Sequence, residues 1–454
     1  MSVRQVMASA LALLVLVPGL AWSGTSVYGI PSDCRVETWL LAVPGVGDAA
    51  APASERVSAV DMQGRWALHA YRLAPGEQAN AILDVDALEL HWAGRRARLP
   101  IPADRRRNGH GLEWASDGRR AALLEQHEGP PLVQGPARVR CFDVRRLERA
   151  EPAPVLYDPG SSGEGAIRTL GGVAWSPAGD ALLALERRFP SEADVVESAI
   201  VRVEVAPGSL DPRGPPRDVV RMEGVIDFMA VAPVGSRHLS LAFAAPAGLF
   251  VSDELGTMPR RVGGLPGLWL AHCEWSPVAP RLLLSYRRPA PLPDGTKVSG
   301  VVLVHLDRVG GPANRPWLER LHEHGDVHTL WWSPGGKWAT WATRSGVGYC
   351  PPGGQVVEVC PAGSEPAGIT GARWDASERW LAITAGARLF VHDASDGSTR
   401  LVCDLGQGEP AFLADPVWIG DRVYLSRYVD LAPNPRGVPG STLLELRRLD
   451  DRPR

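Results

Sequence analysis

Four residues, His110, Asp227, His272 and His328, are of the types that ligate divalent transition metals, three imidazoles and one carboxylate. Each lies a few places ahead of a separate copy of an internal repeat, so a radial arrangement of the copies would bring them together however far apart they are in the chain. The chemistry open to them is a divalent metal at the mouth of a central channel, or hydrogen bonding to channel water as solvated residues. A second, local cluster holds His322, His324, Asp326 and His328. Its last histidine is one place late for an HxHxDH metal run, and the plainer reading is a polar loop between two repeats. Nucleophilic catalysis finds no support: Gly160-Ser161-Ser162-Gly163 lacks the GxSxG spacing, and neither HExxH nor a phosphate-binding loop occurs. The stretch from Asp393 to Ser398 reads as a solvated hairpin loop, with calcium binding as its alternative. Glu113 and Glu274 directly precede Trp114 and Trp275, and period-two alternation points them away from the Trp face, towards neighbouring strands.

The elements that must position these residues come from the repeat. AWSPAGDALLAL from Ala174 recurs as EWASDGRRAALL from Glu113, EWSPVAPRLLLSY from Glu274, WWSPGGKWATWA from Trp331 and RWDASERWLAIT from Arg373. Weaker copies start at Ala59, Ala230 and Val417, which makes eight anchors: Val60, Trp114, Trp175, Val231, Trp275, Trp332, Trp374 and Trp418. In Ser176-Pro177-Ala178-Gly179 the serine opens a type I turn, the proline presets φ, and the glycine closes the turn without steric cost. Ala279 and Glu378 stand where two copies lack that glycine. An apolar strand ends at each anchor, another follows the turn, and two more strand-like runs complete a copy, as at 138–144 and 155–157 or 388–392 and 399–403. A four-stranded repeat with a period of roughly 40–60 residues belongs to propellers. The expected fold is therefore all-β, a propeller of four-stranded blades, eight in number, or seven if the Val60 or Val231 copy is spurious. Residues 35–43 have no blade of their own and are expected to pair with 442–449, closing the ring.

Residues 1–23 carry Arg4, an apolar run over 6–17, a Pro18-Gly19 break and the small-residue pattern Ala21-Trp22-Ser23, which together form a secretory signal. The apolar run is short of the roughly 20 residues that span a bilayer, which argues against an uncleaved anchor, and no later stretch is long enough to span. Residues 24–454 then form a single propeller domain, periplasmic or secreted and monomeric. A net charge of −3 argues against a nucleic-acid surface. Of 48 basic residues only Lys297 and Lys337 are lysines, the usage of a GC-rich bacterial genome. Six cysteines in an exported chain permit disulfides, with Cys350 and Cys360 the one local candidate pair. Cys141 and Cys273 fall in strand-like runs and read as buried small hydrophobes.

At Trp175-Ser176-Pro177, Trp275-Ser276-Pro277 and Trp332-Ser333-Pro334, with Gly336-Lys337-Trp338 completing one copy, the chain resembles the WD40-like (PD40) propeller repeats of the TolB family. The resemblance covers nearly all of residues 24–454, but its motifs are structural. It implies an exported propeller that acts by binding. Such repeats also accompany peptidase domains and form lyases with a metal in the central channel. The chain departs from TolB in having no separate amino-terminal α/β domain and in its blade number. The expected function is a scaffold for a protein or cell-envelope ligand, without a resident cofactor. The alternative is a metal-dependent, polysaccharide-lyase-like enzyme with its site at the channel mouth.

Overall fold

In the computed structural model the described residues are 35–40, 53–60, 66–74, 77–84, 89–94, 112–115, 119–125, 138–143, 154–160, 167–189, 196–206, 210–233, 240–253, 259–262, 269–287, 299–309, 317–323, 327–361, 368–404, 411–413, 416–419, 422–424, 427–429 and 445–450. The signal-like segment 1–23 lies outside them. The chain divides into two compact units, Ala97–Val359, and Met1–Arg96 together with Cys360–Arg454.

The unit Ala97–Val359 holds five four-stranded antiparallel sheets in which spatial order follows chain order. With blades numbered along the chain, blade 2 is Leu112–Trp114, Arg120–Glu125, Arg138–Asp143 and Val155–Tyr157; blade 3 is Ile167–Trp175, Ala181–Phe189, Glu197–Glu204 and Arg217–Glu223. Blade 4 is Phe228–Val231, Leu241–Ala245, Gly248–Ser252 and Arg260–Val262. Blade 5 is Trp269–Trp275, Arg281–Arg287, Ser299–His305 and Leu318–His322; blade 6 is Thr329–Trp332, Ala339–Ala342, Val347–Cys350 and Val357–Val359. First strands of successive blades touch one another from blade 2 through blade 6. A meander whose first strands lie side by side in this way is the radial arrangement of a β-propeller.

The second unit holds three such sheets. Blade 1 is Ala53–Val60, Trp66–Ala74, Glu77–Asp84 and Glu89–Gly94, and blade 7 is Ile369–Trp374, Trp380–Ala385, Arg388–Asp393 and Thr399–Asp404. Blade 8 is composite: Val417–Ile419, Arg422–Tyr424 and Glu445–Asp450 are completed by Arg35–Leu40 as the outermost strand. The register runs from Arg35 opposite Asp450 to Leu40 opposite Glu445, so the expected pairing of the terminal strands is present. A further two-stranded ribbon joins Ala411–Leu413 to Arg427–Val429. Each anchor, Val60 and Val231 included, falls at or next to the end of the first strand of a four-stranded sheet.

Apolar residues gather between blades. Leu124, Val139, Cys141, Leu156 and Tyr157 of blade 2 pack with Trp175, Leu182, Ala184 and Val201 of blade 3 in one buried cluster. Equivalent clusters join blades 3 and 4, blades 4 and 5, blades 5 and 6, and blades 7 and 8. A blade hides its sheet faces only against its neighbours, so folding is cooperative between them. Cys141 and Cys273 belong to these clusters as expected, and burial pushes both thiols up. Cys350 and Cys360 are both free thiols, which corrects the proposed disulfide. Cys350 is buried at the end of a strand in which Val347 lies opposite Val359 and Tyr349 opposite Val357, a register that puts Cys360 past the far end of that strand.

The anchor tryptophans do more than fill space. The indole N–H of Trp175 donates to the Glu113 carbonyl at 3.0 Å, that of Trp275 to Ala230 at 3.1 Å, and that of Trp332 to Glu274 at 3.3 Å. Trp418 donates to the Arg373 carbonyl at 2.9 Å. Every acceptor is the residue immediately before the anchor of the preceding blade. A buried indole needs an acceptor, and here that need sets the register of one blade against the next.

The turns after the anchors behave as their chemistry dictates. The Ser176 hydroxyl accepts the Asp180 and Ala181 N–H groups at 3.1 and 3.0 Å, while Gly179 closes the turn at φ 68°. In blade 7 Asp375 replaces the serine and accepts the Arg379 and Trp380 N–H groups at 3.1 and 2.9 Å. Glu378 there takes φ 59°, the one non-glycine residue with positive φ among the described residues. In blade 5 Pro280, which has no N–H, removes one partner of the Ser276 hydroxyl, and Ala279 keeps an ordinary φ.

Candidate functional site

Three of the four residues that sequence reasoning singled out, Asp227, His272 and His328, lie in or just ahead of the first strands of blades 4, 5 and 6, and register fixes their levels. Asp227 and His328 lie just ahead of their strands, their N–H groups donating to Ala244 and Ala342 at 2.8 and 2.9 Å. His272 lies one rung deeper, opposite Ser285, because it stands three residues ahead of its anchor Trp275 where Asp227 and His328 stand four ahead of theirs; a bulge follows further out, between Leu270 and His272. Blade 3 is bulged at the same place, between Leu170 and Gly172. Pairing is regular between each bulge and its anchor, so the bulges displace only the residues further out. Asp227 is exposed, while His272 and His328 are half-buried. Burial raises the Asp227 carboxyl above its ordinary range, against the pull of Arg187. His110 lies outside the described residues. Among the described residues no three His, Cys, Asp or Glu side chains gather where one metal ion could be held. Of the local cluster, His324 and Asp326 also lie outside the described residues, and the His322 ring packs against Trp341, with centroids 5.9 Å apart.

Sequence reasoning set aside the two glutamates, and the structure couples them. Glu113 of blade 2 is enclosed tightly enough that its carboxyl is pushed up to about 8, by burial first and by the charge of Glu274 second. By exposure the residue is half-buried. Glu274 belongs to blade 5, so two residues three blades apart sense one another from the inner strands. Their backbone carbonyls hold the tryptophan staples. Burial and the Glu274 charge both favour the protonated form of the Glu113 carboxyl.

The Asp393 loop is structural. The Arg379 guanidinium grips the Asp393 carboxylate with Nε at 3.0 Å and Nη2 at 2.6 Å, and the Ser395 N–H and hydroxyl donate to it at 2.9 and 2.7 Å. Those bonds, the arginine's foremost, hold the carboxyl far below the usual range. Asp396 accepts the Ser398 N–H at 2.8 Å, so its carboxylate is also engaged in the turn.

Two features carried no repeat signal. Glu186, fully buried in blade 3, accepts the Tyr157 hydroxyl of blade 2 at 2.7 Å and Arg188 Nε at 3.1 Å, with Arg168 Nη1 at 3.3 Å. Arg188 extends this network to Asp218 with paired bonds at 2.8 and 2.7 Å. Satisfied on every side, it locks blades 2 and 3 rather than offering a site. The other is Trp269, the first residue of blade 5, which is 66% exposed while Trp175 and Trp275 are 6% exposed. Its partner across the hairpin, Arg287, is exposed. Trp269 stands outside the repeat positions, which is the signal that could have marked it.

No family model and no curated protein matches this chain. Among solved structures it is similar to a dihydro-heme d1 dehydrogenase, NirN, in complex with DHE, at 14% identity and TM-score 0.46, over 77% of this chain and 65% of that one. The chain thus spans less than two thirds of that protein's length. It is also similar to the Cps50 (Swd1) β-propeller domain of Myceliophteria thermophila, at 10% identity and TM-score 0.43, over 89% and 98% of the two chains. A structure described as the eukaryotic initiation factor matches at 13% identity and TM-score 0.46, over 89% of this chain and 92% of that one. The fold assignment stands on the sheet topology above, and none of these likenesses bears on activity, ligand or partner.

Proposed function

We propose that this chain is an exported, TolB-like β-propeller that acts as a scaffold for a protein or cell-envelope ligand. One observation carries the reading. Trp175, Trp275, Trp332 and Trp418 of the repeat are taken up by inter-blade staples, whereas Trp269, outside the repeat, is 66% exposed on the rim of blade 5 beside the exposed Arg287. Tryptophan and arginine are the residue types that dominate binding hot spots. Export is supported by the signal-like pattern of residues 1–23. No helix among the described residues is long and apolar enough to cross a membrane.

The test is a photo-reactive side chain placed at position 269 in the full chain, expressed in its native host. A defined cross-linked adduct in the periplasmic or secreted fraction is expected, on a protein whose mature amino terminus is Gly24. Purified protein is expected to carry no stoichiometric metal after metal is supplied. Cytoplasmic protein that begins at Met1 removes the export reading. Stoichiometric metal that is lost when His110, His272 and His328 are replaced by alanine would favour the enzyme instead.

A further inference from the structure

The exposed tryptophan begins a polar row between blades 5 and 6. Leu283, Val301 and Leu303 of blade 5 belong to the core shared with Leu330 and Trp341 of blade 6, which identifies the face that blade 5 turns towards its neighbour. Ser285 and Arg287 follow Leu283 at intervals of two along one strand, so they lie on that face as well. Arg287 stands opposite Trp269 on one side and Ser299 on the other, and directly opposed residues project to the same face. The outermost rung of this face is therefore Trp269, Arg287 and Ser299, and the next is His272, Ser285 and Val301. Its acids, Glu274 and Glu319, lie a level deeper, on the rung of Leu283 and Leu303.

Blade 6 supplies one more donor from across the groove. Its first strand touches both the first and the second strand of blade 5. The Val327 N–H donates to the Ser299 hydroxyl at 3.0 Å, which pins the entry of blade 6 against the outermost rung. His328 comes next, its N–H donating to the Ala342 carbonyl at 2.9 Å. It stands two places ahead of Leu330, which packs on blade 5, so alternation turns its imidazole to the same groove. Arg287 and His328 make no side-chain hydrogen bond or ion pair among the described residues, although Arg188, Arg379 and Arg388 are all paired with carboxylates. The Ser285 hydroxyl, one level beneath Arg287, is buried without a partner, where buried hydroxyls are ordinarily satisfied. Guanidinium, imidazole and hydroxyl thus converge on the groove from two blades, out of one plane, beside an exposed indole bordered by polar residues. Donors so arranged suit the three terminal oxygens of a phosphate better than the two coplanar oxygens of a carboxylate, and the indole offers a stacking face to a ring.

Resting on the binding reading above, we propose that the outer end of the groove between blades 5 and 6 binds a phosphorylated sugar. Arg287 and His328 hold the phosphate above the Ser285 hydroxyl, and the sugar ring stacks on Trp269. The probe is glucose 6-phosphate, titrated by calorimetry into the whole mature chain at low salt, with glucose, inorganic phosphate and glucuronate as controls. Saturable binding is expected, about tenfold or more tighter than that of any control and weaker at raised salt. Trp269→Ser and Arg287→Gln, both at exposed positions whose unfolding curves should match the parent, should each weaken it about tenfold, and His328→Gln should weaken it as well. Arg287→Lys should recover only part, since it restores the charge without the planar fork. Phosphatidylcholine vesicles with and without lipid A, whose headgroup is a phosphorylated glucosamine disaccharide, separate the two sources of such a ligand. Binding to the lipid A vesicles that glucose 6-phosphate displaces assigns a lipid headgroup, and binding of the free sugar phosphate alone assigns a soluble ligand. No saturable binding of either probe, a control that binds as tightly, or binding indifferent to both Trp269→Ser and Arg287→Gln overturns the proposal. If the groove fails in this way while a cross-linker at position 269 still captures an envelope protein, the scaffold reading survives without a phosphate site.

Discussion

Glu113 holds its proton up to about pH 8 in the folded chain, against an ordinary value of 4.5, because it is enclosed and senses Glu274. Between those two values the folded state binds a proton that the unfolded state has released, so stability falls as pH rises. The contribution is fully present below the unfolded value and gone above the folded one, with a slope of at most about 1.4 kcal/mol per pH unit. Glu113→Gln cannot ionise and removes that slope. Urea unfolding of the two proteins between about pH 5 and 9 should therefore show the variant gaining on the parent as pH rises. Parallel pH profiles would mean that Glu113 ionises normally and that the coupling to Glu274 is absent. No reading of the sequence finds this pair, since nothing in the local pattern says that blades 2 and 5 bring their glutamates into range.

The elements show the same division between what pattern carries and what it does not. Each strand before and after a Trp-Ser-Pro turn was legible because turn chemistry and apolar runs are local properties, and the two copies with Ala279 and Glu378 in place of the closing glycine were held by their flanking pattern. Glu378 was legible as a departure, yet not its resolution, in which Asp375 holds the turn while Glu378 accepts φ 59°. The levels of Asp227, His272 and His328 follow from their offsets to the anchors, whereas the bulges further out in blades 3 and 5 were not legible, because a bulge leaves no mark in spacing. The staples were half legible: the period predicts that the tryptophans are buried, and a buried indole needs an acceptor, but which carbonyl it finds depends on the neighbouring blade. Trp275→Phe keeps most of the ring and removes the N–H that reaches the Ala230 carbonyl at 3.1 Å. It should cost about 1–2 kcal/mol in denaturant unfolding, from the lost bond and the unpaired carbonyl. Trp275→Ala should cost about 3–5 kcal/mol, because a cavity then opens between blades 4 and 5. A phenylalanine variant as stable as the parent would reduce the staple to packing alone.

For the molecule as a whole the question is how the two ends of the chain are held. Within the unit that contains both termini, Glu445–Asp450 pairs along its full length with Arg35–Leu40, six residues against six. Among the described residues its other neighbour, Arg422–Tyr424, pairs with it through Arg422 opposite Asp450 and Val423 opposite Leu449. The last strand is therefore fastened mainly by the first one, an element some four hundred residues away in sequence, at about the full length of a propeller. Removing residues 24–40 should release both strands and expose the edge of Arg422–Tyr424, which invites association with other chains. Removing 451–454 touches no described strand. The first deletion should lower the thermal midpoint by many degrees and broaden the transition, and the second should leave both unchanged. A synthetic peptide of residues 24–44 added to the truncated protein should restore the midpoint in a concentration-dependent way, by adding back the missing strand. Equal and small effects of the two deletions, or a peptide that restores nothing at any concentration, would show that blade 8 stands without its amino-terminal strand.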